Sequence, residues 1–189
     1  RRKQVNDDDT DHFQFFPELT VDPSGTLHAM WGDLRDDPNE VSYHIYYATS
    51  EDGGDTWKMM DTSQVVYPFI TTYMPPTAKR VIGMAFDPSD PKDIYAAVEV
   101  GGLLASRDGG DTWVSMIDGP YLKNNTLDLH QVEVSAAAPG TVHIATQTAM
   151  FRSRDKGVRW EHVQVQEMFP GGSYCRDLKV APDDPKTLY

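Results

Sequence analysis

The chain has 189 residues and a formal charge of -12, with 29 acidic against 17 basic side chains, a balance that excludes unaided binding to a phosphate backbone. Hydrophobic residues make up 39%, with 14 Gly and 13 Pro, which suits a turn-rich folded β protein and excludes a disordered chain. No run is long and apolar enough to cross a membrane as a helix; the nearest, Val65 to Tyr73, is interrupted by Pro68.

The chain starts with Arg1-Arg2-Lys3-Gln4, and no apolar stretch follows, so this is not an intact secretion signal. Asp7-Asp8-Asp9-Thr10-Asp11 offers the oxygen ligands calcium prefers, but it lacks the Gly and the closing Glu of an EF-hand loop and reads as a solvated terminus. The first strand pair follows, Leu19 to Val21 and Leu27 to Ala29, with Asp22-Pro23 at its turn. Proline stops a strand and presets the turn, so this phrase predicts a hairpin. A β-rich run over Ser42 to Thr49 then meets Ser50-Glu-Asp52-Gly-Gly54-Asp-Thr56-Trp57.

Both phrases return. The Pro turn recurs around Asp87-Pro88, at Ala138-Pro139-Gly140 and around Ala181-Pro182. The second phrase recurs as Ser106-Arg-Asp108-Gly-Gly110-Asp-Thr112-Trp113 and as Ser153-Arg-Asp155-Lys-Gly157-Val-Arg159-Trp160. Its chemistry is that of a tight turn: Asp accepts bonds from backbone N–H groups ahead of it, Gly takes backbone angles other residues avoid, and Trp opens the return strand with a large apolar face. The third copy departs at Lys156 and Arg159, so its turn is the one expected to differ. Fifty-six residues separate Trp57 from Trp113 and 47 separate Trp113 from Trp160, close to the roughly 40 to 50 of a four-stranded propeller repeat. Repeat units over 17–80, 81–128, 129–175 and, in part, 176–189 are expected, with 61–80 as an outer strand and crossing loop.

The S-x-D-x-G-x-[TR]-W phrase resembles the Asp-box, or BNR repeat, of sialidases and related glycosidase-like β-propellers. The resemblance implies an all-β propeller of four-stranded Asp-box blades, about three of them plus the start of a fourth. It also implies a structural role for Ser50, Asp52, Gly54, Trp57, Ser106, Asp108, Gly110, Trp113, Ser153, Asp155, Gly157 and Trp160. Residues 6–57 look like the sialidase-like BNR proteins of bacteria. Residues 81–189 look like WD40/YVTN/BNR-like glycosyl hydrolase propellers, with similar phrases in xyloglucanase-type glycosidases and photosystem assembly propellers. A ring of about four to eight blades protects its sheet edges, so the expectation is a fragment of a longer protein, or a chain completed by strand-edge association.

The resemblance implies ligand residues on the face opposite the Asp-box turns, where loops of several blades meet. Candidates for catalysis are Asp33, Arg35, Arg176 and Asp177, a carboxyl and an arginine from each end of the chain; candidates for substrate binding are Tyr174, His130 and Glu99. Each has a plainer reading: a solvated turn closed by Pro38 for the first pair, an inner strand with a polar rim for the second, a solvent-facing Glu and a backbone-satisfied His for the last. The R-I-P motif of the first sialidase blade is absent, which counts against a working sialidase. Two functions follow, a glycan-directed propeller acting as an exo-glycosidase and a non-catalytic recognition or assembly propeller. No cofactor is expected, and the six histidines have no short-spaced pair to suggest zinc. Cys175 is the lone cysteine, so no disulfide forms within the chain. Asn124-Asn125-Thr126 fits a glycosylation sequon, and an extracellular or periplasmic place is favoured.

Overall fold

A computed structural model describes residues 3–40, 43–61, 66–67, 81–116, 128–147, 149–165 and 173–189. The crossing loop over 61–80 lies mostly, and the sequon wholly, outside the described residues. Three antiparallel sheets follow one another along the chain. The first is built from β1 (Gln14–Val21), β2 (Leu27–Asp33), β3 (Tyr43–Ser50) and β4 (Lys58–Met60) in that order, with β5 (Val66–Tyr67) also paired to β3. The second runs β6 (Val81–Asp87), β7 (Asp90–Val98), β8 (Gly102–Ser106), β9 (Val114–Ser115). The third runs β10 (Leu129–Val134), β11 (Val142–Thr146), β12 (Met150–Ser153), β13 (Glu161–Val163). Residues 173–189 add a bridge between Val180 and Leu188 and pack Leu178 on Ala145 and Met150 of the third sheet.

The middle strands explain the stacking. In β7, Ile94 to Val98 are buried without a break, and β8 and β11 are buried throughout, because both faces of these sheets are covered. One apolar cluster joins Met30, Ile45 and Tyr47 of the first sheet to Ile94, Leu104 and Trp113 of the second. Another joins Tyr95, Leu103 and Ala105 to Leu129, Val132 and Ile144 of the third.

The three repeated turns share one hydrogen-bond scheme. The serine hydroxyl accepts from the backbone N–H four residues on, at 2.9 Å for Gly54, 2.8 Å for Gly110 and 2.8 Å for Gly157. The Asp carboxylate accepts from the N–H of Thr56, Thr112 and Arg159, at 2.8 Å in all three. In the first two turns the Thr hydroxyl also donates to that carboxylate at 2.6 Å. Arg159 has no hydroxyl, so the third turn loses this bond while its backbone scheme persists. Lys156 takes a positive φ of 59°, where Gly53 and Gly109 take 71° and 81°. A side chain in that region is strained, so something must hold it there.

The tryptophans differ in cover. Trp113 is 5% exposed and meets Tyr47 of the preceding sheet edge-on at 5.5 Å, whereas Trp57 and Trp160 are partly exposed. Trp113 is covered by the sheet before its own, whereas Trp57, with no sheet before it among the described residues, packs on Ala29, Trp31 and Ala48 of its own sheet. Trp57 accordingly lines an open apolar groove with Val5, Phe15, Leu19 and Trp31.

Candidate functional site

Strand register sets which end of each sheet carries which residues. In the first sheet Leu27 pairs with Ser50 at the repeated-turn end, while Asp33 pairs with Gln14 and His44 at the other. In the second, Ile94 pairs with Ser106, and Val98 pairs with Val81 and Gly102 at the far end. In the third, Val142 pairs with Ser153, and Leu129 pairs with Thr146 far from it. Asp33, Glu99 and His130 therefore sit at the ends of their sheets opposite the repeated turns.

Four of the polar candidates meet there. A cavity of about 260 Å³ is lined by Ile82, Glu99, His130, Gln131, Arg176 and Asp177. Glu99 comes from the β7–β8 loop, His130 and Gln131 from the start of β10, and Arg176 and Asp177 from the segment after β13. Gln131 and Gly83 occupy the same rung of successive inner strands, being the partners of Ala145 and Ala97. Because Gly83 has no side chain, the Gln131 amide lies over it: a Cβ there would stand 2.3 Å from Gln131 Oε1.

The cavity's polar groups are oriented. Gln131 Nε2 donates to Asp177 Oδ1 at 3.1 Å, and the Leu178 N–H donates to the same oxygen at 2.8 Å. These two bonds hold the Asp177 carboxyl below its usual range, so it stays an anion and an acceptor at neutral pH. His130 Nδ1 donates to the Cys175 carbonyl at 2.7 Å, and Nε2 lies 3.7 Å from the Asp128 carboxylate. Tyr174 packs its ring 4.8 Å from that imidazole and is not itself among the cavity's walls.

Asp33 and Arg35 are placed elsewhere. Asp33 is fully buried, and its carboxylate receives Trp31 Nε1 at 3.0 Å, the Arg35 N–H at 2.9 Å, and the Arg35 guanidinium at 2.7 and 3.0 Å. Arg35 also binds Asp7 at 2.6 Å and lies 4.2 Å over the Tyr46 ring. Burial works against its charge, but Asp33 and Asp7 outweigh burial and raise its pKa further. The pair forms a closed clasp that ties the acidic N-terminal run to the first sheet, and neither residue lines the cavity that holds Arg176 and Asp177. The Asp8 carboxylate is likewise taken up, accepting from the Thr10 N–H at 2.9 Å.

Sequence reasoning missed Gln131, which had a signal: it stands one residue before the apolar Val132, as Asp177 stands before Leu178. It also missed Asp7 and Asp8 as partners of Arg35, a contact across about the length of a strand pair that no local pattern announces.

Three successive four-stranded sheets, each with its inner strand first and its turns at matching ends, are consecutive blades of a β-propeller. No known protein-family profile matches the chain. Over 122 residues, 57% of the chain, it is 23% identical to the xyloglucanase Xgh74A of Acetivibrio thermocellus, of which it spans 14%. It is similar to the GH74 enzyme of Niastella koreensis, with a TM-score of 0.56, 20% identity, and 77% of this chain covering 22% of that one. It is similar to the GH74 xyloglucanase from Xanthomonas campestris, with a TM-score of 0.56, 19% identity, and 78% covering 23%. The chain spans less than a quarter of each of these proteins, and the likeness is one of fold.

Proposed function

We propose that the chain is a ligand-binding sector of a propeller whose cavity between Glu99, His130, Gln131, Arg176 and Asp177 recognises carbohydrate. The observation that carries this reading is the meeting of two carboxyls, an amide, an imidazole and a guanidinium, from two successive sheets and the segment after them, in one cavity. Planar polar side chains in fixed geometry suit the paired donors and acceptors of neighbouring sugar hydroxyls. The xyloglucanases among its relatives make a β-glucan chain the first ligand to try. Titration of the protein with xyloglucan oligosaccharides, and with sialosides for the sialidase-like alternative, should shift the amide signals of Gln131 and Asp177. Asp177→Ala and Arg176→Ala should abolish the shift with the fold intact. Unchanged binding in both variants would sink the reading.

A hydrolytic version is favoured by one observation, that Glu99 and Asp177 share the cavity. It assigns the ionised Asp177 as base or nucleophile and Glu99 as the acid, the division of labour a glycosidase requires. Asp33 and Arg35, bound to each other, contribute nothing to it. Release of a fluorogenic aglycone that disappears in both Glu99→Gln and Asp177→Asn would support it; binding without turnover leaves the recognition propeller.

A further inference from the structure

The three repeated turns share a backbone and differ in charge. The first carries Glu51, Asp52 and Asp55 and no cation; the second sets Arg107 against Asp108 and Asp111; the third sets Arg154, Lys156 and Arg159 against Asp155 alone. In a chain of charge -12 this is a local reversal, and it is made at positions the turn does not need to change. Position 159 is the clearest: Thr56 and Thr112 there serve their own turns, and Arg159 gives that bond up.

The structure gathers the substituted side chains around a groove of about 270 Å³ lined by Arg152, Arg154, Asp155, Arg159, Trp160 and Glu161. Glu161 holds two of the arginines side by side, Arg152 Nε at 2.7 Å and Arg154 at 3.3 Å. Asp155 gives one carboxylate oxygen to its turn, Oδ1 accepting from the Ser153 hydroxyl and the Arg159 N–H, both at 2.8 Å. The Arg159 guanidinium has no hydrogen-bond or ion-pair partner among the described residues. Three guanidinium forks thus face one groove against two carboxylates, Glu161 and Asp155, with an indole on its wall.

We propose that this groove binds a compact oxyanion, a sulfate, phosphate or sugar-borne carboxylate, gripped by Arg159 and Arg154. Guanidinium groups match the paired oxygens of these anions, and Glu161 preorganises two of the three forks before the ligand arrives. The volume admits one such group with part of its carrier and excludes a long polyanion from full entry, in keeping with the net charge. The groove lies at the repeated-turn ends of the strands, away from the Glu99–Asp177 cavity, and stands independently of what that cavity binds.

The test titrates the whole chain with sodium sulfate, sodium phosphate and sodium glucuronate, at an ionic strength held constant with chloride, following the Trp160 indole signal by NMR. At least one anion should shift that signal saturably, while neutral glucose should not. A tighter response to glucuronate assigns the sugar-borne source, and a response to sulfate or phosphate alone assigns the free tetrahedral anion; either supports the site. Arg159→Thr, which restores the residue of the other two turns, should weaken binding about tenfold without lowering the melting temperature. Arg154→Gln should weaken it similarly, which guards against an unforeseen change in the turn. No saturable response from the unmodified protein, or equal binding by both variants, overturns the proposal.

Discussion

The first sheet meets the second through an apolar seam, and the second meets the third through an apolar seam with a charged margin at the repeated turns. In the first seam Trp113 stands edge-on to Tyr47, and Gly110 lies so close that a Cβ would sit 2.2 Å from the Tyr47 ring. In the second seam Trp160 packs partly exposed against the apolar cluster that joins the sheets, with Met116 beside Gly157, and polar groups reinforce the joint. Lys156 pairs with the buried Asp93, Arg107 donates to the Lys156 carbonyl and to the Tyr95 hydroxyl, and Asp87 accepts from the Gly140 N–H at 2.6 Å. One repeated turn therefore builds two kinds of joint. The difference also accounts for Lys156 in a glycine's conformation: the residue that breaks the repeat is the one that reaches the neighbouring sheet.

The largest effect should come from breaking the apolar seam. Trp113→Ala is expected to cost about 3 to 5 kcal/mol by denaturant unfolding, as for other buried aromatics, and Trp160→Ala clearly less because part of its ring is already exposed. Equal losses at the two sites would erase the contrast between the seams.

Acid should act next, and on the third sheet. His143 is 1% exposed with no hydrogen bond to either ring nitrogen among the described residues, and burial, helped by Arg152 and Arg154, pulls its pKa down to about 4. The unfolded chain takes up this proton near pH 6.5 and the folded one only near 4, so stability falls as pH drops through that window, by about 3 kcal/mol at most. Asp87 adds to the loss at lower pH. Burial pushes its pKa up, but bonds from Ser89 and Gly140 and the nearby Lys156 outweigh it, so the stability it lends disappears as pH falls through its lowered value. A His143→Asn protein should show a flatter profile between pH 6.5 and 4; an unchanged slope would remove His143 from the account.

Salt should then separate the seams. A double-mutant cycle on Lys156 and Asp93 is expected to give a coupling of about 1 to 2 kcal/mol that shrinks at high ionic strength, while the Trp113 loss stays constant. The Lys156 pKa is raised chiefly by its bond to Asp93, so this joint also weakens at strongly alkaline pH. The smallest effect concerns the turns themselves: Asp108→Asn should lower the melting temperature more than Asp155→Asn. Asp108 holds its proton only below about pH 2, chiefly because the Thr112 hydroxyl donates to it, whereas Asp155 has the Ser153 hydroxyl but no threonine at position 159. The reverse order would mean that the hydroxyl bond is not what distinguishes the turns.

The fold was legible because its signals are local. Asp, Gly and Trp at fixed offsets make a turn wherever they occur, and the third turn forms despite Lys156 and Arg159 because Ser153 and Asp155 supply its backbone bonds. The site was legible only in part. Glu99, His130, Arg176 and Asp177 do meet, since the first two stand at the same end of successive sheets and the segment after β13 brings the others beside them. Asp33 and Arg35 share that end but are consumed by each other and by Asp7, partners set by how the N-terminal segment packs. Which polar group a side chain finds across tens of residues depends on packing that periodicity does not encode.

Gly83 offers a way to retune the cavity from outside it. Its missing side chain leaves the notch in which the Gln131 amide rests while holding Asp177. A methyl group there would meet the tip of a flexible chain, not backbone, so the sheet would survive and the amide would swing aside. The inner strand of one blade thus sets, by an absence, the poise of a carboxylate beyond the next sheet in the chain.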